Sequence, residues 1–181
     1  MSRRRYILTG TPGSGKTTIL RQLEMNGFSV VEEAATDVIA LQQAQGIAEP
    51  WTRSSFIDAV VDLQRRREVR AASETVEVQI HDRSAVCTAA LADYLGFPFS
   101  KALTEELEHL SSEEVFQRRV IFVGNLGFVA PSDVRRISYE EALRFEAIHE
   151  RAYRRCGYEL VYIEAGMLAD RVAAVTRAIF N

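Results

Sequence analysis

Apolar residues recur along the chain at two spacings, and the spacing changes at glycines, prolines and polar clusters. Residues 6–9 form a short apolar run that reads as a strand. Residues 16–26 set Ile19, Leu20 and Leu23 on one helical face, and Gly27 stands where a C-terminal cap glycine belongs. A second strand is expected over 28–31, followed by helices over 34–45 and 54–72. The latter carries Phe56, Ile57, Val60, Val61 and Leu63 at helical spacing. Residues 76–81 predict a third strand, 85–95 a helix, and Leu103, Leu107 and Leu110 mark another. A fourth strand is expected over 120–123. Ser138 and Glu141 have the spacing of a capping box and open a helix running to about Arg155. A fifth strand over 158–163 and a closing helix over 167–180 complete the pattern.

Strands alternating with helices predict right-handed crossovers, and hence an α/β fold with a parallel sheet covered on both faces. The stretch Val76-Glu77-Val78-Gln79-Ile80-His81 fits less well, because it alternates apolar and polar. A strand buried on both faces should be continuously apolar. Either one of its faces is wet, or polar groups are paired inside. No repeat, low-complexity stretch or linker interrupts the chain, so residues 1–181 are expected to form a single domain.

Composition narrows the class without naming a partner. With 47% hydrophobic and 26% charged residues, the chain is neither a disordered tail, a collagen-like fibre nor a coiled-coil rod. Its 181 residues suffice for a core without disulfides or metals. No apolar run approaches the ~18 residues of a membrane span. The basic start Met1–Arg5 meets Thr9-Gly10 after only three apolar residues, short of the ~7–15 of a signal sequence. Cys87 and Cys156 are too few for a disulfide or zinc framework. A soluble, cytoplasmic protein is expected, without a membrane partner. Net charge is −3, and 20 of the 22 basic residues are arginine, which reads as coding bias. Arg3–Arg5 and Arg65–Arg67 read as solvated surface, so nucleic acid is not an expected partner.

One segment carries specific chemistry. Gly10-Thr11-Pro12-Gly13-Ser14-Gly15-Lys16-Thr17 matches G-x-x-x-x-G-K-[ST], between an expected strand and an amphipathic helix. Glycines let the backbone approach phosphates closely, and successive N–H groups at a helix N-terminus form an anion site. Lys16 is then expected on the β- and γ-phosphates, Thr17 on magnesium and Thr18 on the α-phosphate. Lys16 is one of only two lysines in the chain.

Other candidates depend on this one. Asp82, closing the third strand, is the best carboxylate for the magnesium, or else an ion-pair partner or helix cap. Glu32 and Glu33 close the second strand at the carboxyl edge, where ligands of open α/β folds bind. One of them is a candidate general base; otherwise both are solvated residues favouring the next helix N-terminus. Residues 125–138 have the character of a lid, with Arg135 and Arg136 available to neutralise a transferring phosphoryl group or to flank a helix on the surface. Trp51 offers a ring to stack on, or ordinary packing. His81, His109 and His149 show no metal-ligand spacing, and Cys87 sits on an apolar helix face as a buried, inert thiol.

In order along the chain, the phosphate loop, Glu33-Ala34-Ala35, Gln64, Asp82-Arg83-Ser84, Asp133-Val134-Arg135-Arg136 and Gly157-Tyr158 resemble small bacterial AAA-type ATPase/kinase domains. These are similar to ribosylnicotinamide kinases and, more distantly, to deoxynucleoside kinases. The resemblance implies a P-loop NTPase three-layer sandwich with strand order 2-3-1-4-5 and a short lid. It implies that Asp82-Arg83-Ser84 serves magnesium and the acceptor, with Arg83 as its anchor, that Arg135 and Arg136 close over ATP, and that Ala165-Gly166 borders the adenine. Thr36 and Cys87 depart from the pattern, which often has arginine and aspartate there. The expected function is an ATP- and magnesium-dependent phosphotransferase acting on a small hydroxyl acceptor. Lys16, Gly10, Pro12, Gly13, Ser14, Gly15, Thr17 and Thr18 hold the nucleotide, Thr17 and Asp82 hold the metal, and Glu33 is the chosen base. The alternative is a slow NTPase switch that works through a protein partner. Neither the acceptor nor the oligomeric state is legible.

Overall fold

The structure is a computed structural model that describes residues 3–126 and 138–180. Five strands, β1 (Arg4–Gly10), β2 (Ser29–Val31), β3 (Val78–Asp82), β4 (Arg119–Val123) and β5 (Glu159–Ile163), form one sheet in the order β2-β3-β1-β4-β5. All four pairings are parallel, with Ile7 opposite both His81 and Val120. Fold class and strand order therefore agree with the sequence expectation.

The helices are α1 (Lys16–Met25), α2 (Ala34–Ala44), α3 (Ser55–Ala71), α4 (Ala85–Leu95), α5 (Lys101–Ser112), α6 (Tyr139–Arg155) and α7 (Leu168–Phe180). Ile19, Leu20 and Leu23 of α1 join Val172, Val175 and Ile179 of α7 over Leu8, Ile80 and Ile121 on one sheet face. Helices α2 to α6 bury Val38, Phe56, Val60, Val86, Leu103 and Tyr153 with Ile7 and Val120 on the other. Helix α1 ends as expected: Gly27 has φ 92°, its N–H donates to Glu24, and the Phe28 N–H donates to Leu23. The Ser138–Glu141 capping box opens α6 with both of its reciprocal bonds made. No helix among the described residues is long and apolar enough to cross a membrane.

Strand β3 resolves the alternation read from the sequence. It begins at Val78, and all five of its residues are buried, so its polar side chains lie inside. The Gln79 amide donates to the Ala71 carbonyl at 2.7 Å. His81 stands edge-on to Phe116, and its Nε2 has no partner among the described residues. Burial, aided by the charge of Arg5, lowers the His81 pKa to about 3.

A histidine neutral in the fold but protonated in the unfolded chain makes stability fall as pH drops below the unfolded value near 6.5. Between pH 7 and 5 this amounts to about 2 kcal/mol. The difference in urea stability between the native chain and His81→Gln should change by that amount across this window. A constant difference would show that His81 takes up its proton in the fold as readily as in the unfolded chain.

Because every strand runs the same way, Gly10, Val31, Asp82, Val123 and Ile163 end at one edge of the sheet. The chain leaves β1 toward one face through α1 and leaves β3 toward the other through α4. The crevice between Gly10 and Asp82 is therefore the switch point, where open α/β sheets bind ligands.

Candidate functional site

The loop after β1 is built by its glycines. A Cβ on Gly10 would stand 2.5 Å from the Val123 carbonyl, so the strand end packs closely only with glycine there. Gly15 caps α1 in the left-handed region at φ 77°, and among the described residues no side chain caps the first turn. The first-turn N–H groups thus remain available to an anion. Thr17 and Thr18 are exposed on that turn.

Lys16, by contrast, is buried and folds across the switch point to place Nζ 2.5 Å from Oδ1 of Asp82. Burial raises the Asp82 pKa, with Glu33 adding to the rise while Lys16 and Arg83 oppose it. The pair fits a phosphate site at rest. A polyphosphate drawing Lys16 away would leave a carboxylate beside the Thr17 turn, and hydroxyl plus carboxylate oxygens suit magnesium.

Behind Asp82 the backbone turns sharply. Arg83 adopts φ 72°, a conformation rarely taken by residues other than glycine, and its N–H donates to the Leu8 carbonyl at 3.0 Å. Its side chain is buried, with Nε 2.8 Å from Oε1 of Glu33 in a charge contact rather than an aligned hydrogen bond. Burial opposes the Arg83 charge, but Glu33, Cys87 and Asp82 outweigh it and raise the pKa. Nη1 lies 3.2 Å from Nε2 of His149. His149 Nδ1 lies 3.0 Å from the Phe145 carbonyl.

Glu33 ends the β2 connection as the N-cap residue of α2, and its Oε2 accepts from the Thr36 hydroxyl at 2.8 Å. Thr36, one of the two departures from the family pattern, thus acts on the glutamate itself. Glu32 turns the other way and pairs with Arg21 at 2.7 Å, both side chains more than half exposed.

Arg67 corrects the reading of its triplet as solvated surface. Its guanidinium donates to the carbonyls of Glu32 and Glu33 and pairs with Asp37, fixing the segment that carries Glu33. Arg66, 74% exposed, and Arg65, 55% exposed while pairing with the buried Glu106, lie on the surface as expected.

From Pro12 of the phosphate loop, a cavity of about 580 Å³ runs past Glu33 and Arg83 to Trp51, Phe56 and Tyr94. This volume lies within the ordinary range for small-molecule sites. Trp51 lines the cavity and also packs against the core. Cys87 faces the cavity and is buried, but its surroundings are not inert. Its Sγ lies 2.9 Å from the Tyr153 hydroxyl and 3.1 Å from Thr9 Oγ1. Against the cost of burial, His149, Arg83 and Thr9 pull the thiol below its ordinary value.

Ala165 and Gly166 lie exposed between β5 and α7, on the same sheet edge. Arg135 and Arg136, with most of the expected lid, lie outside the described residues. The sequence reading missed two polar side chains near the phosphate loop. Glu146 of α6 accepts from Thr11 Oγ1 at 3.1 Å, and Arg171 of α7 donates to the Ser14 carbonyl at 2.7 Å. Arg171 had a legible signal: it precedes Val175 and Ile179 at intervals of four, in a stripe that is otherwise apolar. Elsewhere, His109 meets Glu68 and Glu106. Arg5 and Arg65 already balance those carboxylates, so the group reads as an ion-pair cluster.

The family model AAA_28, an AAA domain, matches residues 5–171. No curated protein matches the chain by sequence. Among solved structures, NadR protein in complex with NAD and AMP-PNP superposes at TM-score 0.70 and 17% identity, covering 99% of this chain and 50% of that one. The chain therefore spans half the length of NadR. Deoxyadenosine kinase from M. mycoides, with products dCMP and a flexible dCDP, superposes at TM-score 0.62 and 13% identity, covering 97% of this chain and 98% of that one. The fold is shared with both.

Proposed function

Since the chain belongs to the AAA_28 family of AAA domains, we propose that it is a cytoplasmic phosphotransferase that moves the γ-phosphoryl group of Mg-ATP to a hydroxyl of a small, nucleoside-like acceptor. One observation carries the reading: Glu33 and Arg83, 2.8 Å apart, stand in a cavity that begins at Pro12 of the phosphate loop. An acceptor lying there has its hydroxyl between a carboxylate and the phosphates. That the structural neighbours include a complex of NadR with NR and a deoxyadenosine kinase supports an acceptor of nucleoside size.

The acceptor oxygen attacks the γ-phosphorus, the bond to the β,γ-bridging oxygen breaks, and ADP leaves. Glu33 takes the hydroxyl proton, while Arg83 anchors the acceptor. Lys16 moves from Asp82 to the β- and γ-phosphates, with Gly10, Pro12, Gly13, Ser14, Gly15 and Thr18 around the nucleotide. Thr17 and Asp82 hold magnesium, which supplies charge neutralisation when bound. Arg135 and Arg136 cover the phosphates from the lid, and Ala165-Gly166 borders the adenine.

ADP release measured against a panel of nucleosides and sugars tests the reading. Saturable stimulation by one member, with a phosphorylated product in the mass spectrum, is expected. Basal hydrolysis unmoved by any member would instead favour a nucleotide switch that acts on a protein.

A further inference from the structure

The search for further chemistry leads to Arg171, a buried cation that no carboxylate balances among the described residues. It occupies a core position of α7 and is 5% exposed. Burying an uncompensated charge is costly, and an aliphatic residue at this place in the stripe would avoid that cost. Burial lowers its pKa, yet an arginine side chain stays protonated.

What Arg171 does with its donors is specific. Nη1 donates to the Ser14 carbonyl at 2.7 Å and Nη2 to the Gly124 carbonyl at 3.0 Å, while Nε has no partner among the described residues. One guanidinium thus joins the phosphate loop to the end of β4. A Cβ on Gly15 would stand 3.0 Å from Nη1, so the glycine leaves room for the arginine as well as for its own φ of +77°.

The Ser14 carbonyl belongs to the same peptide group as the Gly15 N–H. In a trans peptide the two point in opposite directions. Holding the carbonyl back toward Arg171 turns the Gly15 N–H the other way, away from the arginine. A cation on the carbonyl also polarises the peptide and makes that N–H a stronger donor. Polyphosphate bound in the loop would supply the missing negative charge.

We infer that Arg171 is a positioning residue of the phosphate loop, which pins the Ser14–Gly15 peptide for anion binding and lends the loop a positive charge that bound polyphosphate compensates. The inference rests on the phosphate-binding reading above and adds to it a residue outside the loop motif.

The test compares the full native chain with Arg171→Lys and Arg171→Met. Without ligand, hydrogen exchange of the amides at 13–16 should quicken in Arg171→Met, while those of Val120–Val123 keep their protection. With magnesium, the ATP dissociation constant should rise about tenfold or more in Arg171→Met, as expected from losing a charge-assisted hydrogen bond. AMP affinity should change less. Arg171→Lys, which keeps the charge and can reach one carbonyl, should recover part of the ATP affinity.

A folded Arg171→Met with native loop exchange and native ATP affinity overturns the inference. Should that variant misfold, Arg171→Lys decides: ATP affinity and loop exchange both equal to the native chain overturn it as well. Failure of the native chain to bind ATP would instead strike the proposed function, and the exchange experiment would still report on the pin.

Discussion

Lys16→Ala should abolish most of the thermal stabilisation that Mg-ATP confers on the native chain. Binding to the folded state alone stabilises by RT ln(1 + [L]/Kd), about 2.7 kcal/mol at a hundredfold excess over Kd. The substitution has a second effect that must be separated from the first. Lys16 and Asp82 are both buried and 2.5 Å apart, so removing the lysine strands a carboxylate in the interior. Breaking such a pair typically costs about 3–5 kcal/mol. Asp82 can relieve part of that cost by taking up a proton, since burial already raises its pKa. Ligand-free Lys16→Ala should therefore melt lower than the native chain, and the gap should narrow as pH falls. Adding Asp82→Asn should restore much of the melting temperature without restoring the response to ATP. Melting curves of the three proteins, with and without millimolar Mg-ATP, make the distinction. A native-sized ATP shift in Lys16→Ala would overturn the assignment of the loop.

The fold and the loop were legible because both depend on local sequence. Hydrophobic spacing placed the strands and, apart from α5, which it marked without bounds, the α-helices within about two residues, a margin that helix fraying and boundary conventions set anyway. The phosphate loop was legible for a related reason: glycine, lysine and threonine at fixed offsets satisfy one local geometry. What escaped depends on contacts between residues distant in sequence. Arg171 reaches Ser14 across 157 positions, and the Arg83–His149 contact spans 66. Arg66 and Arg67 are identical as letters, yet helical phase turns one to solvent and the other onto the backbone of Glu33. The alternation of β3 left two outcomes open because periodicity reports polarity without reporting partners. Only the sheet, with α3 packed beside it, shows Gln79 bonded inside. Cys87 looked inert for the same reason, since its helix face is apolar and its polar neighbours come from β1 and α6.

Glu33→Gln should leave ATP affinity near native while phosphorylation of the acceptor falls by about 10²–10⁴, the usual contribution of a general base. The geometry makes the substitution a sharp probe. Glu33 lines the cavity between Arg83 and Thr36, whereas the phosphate loop is held by its own backbone and by Arg171. Glutamine keeps the shape and can still accept from Thr36, but it removes both the charge beside Arg83 and the capacity to take a proton. Arg83 retains Asp82 nearby, so the buried guanidinium is not left without an anion. Some loss of stability is still expected, and melting curves without ligand measure it. Glu32→Gln is the control, because that side chain pairs with Arg21 more than half exposed to solvent. The control should phosphorylate the acceptor at the native rate. The pattern of kinetic constants then separates two roles for Glu33. A base acting on the transferring proton lowers kcat, whereas a group that only orients Arg83 raises the acceptor KM and spares kcat. If Glu33→Gln keeps native kcat and KM toward an identified acceptor, proton transfer belongs elsewhere. If both glutamine variants retain basal hydrolysis and no acceptor stimulates either, the cavity beside Glu33 does not hold the substrate of a transferase, and the nucleotide-switch reading takes its place.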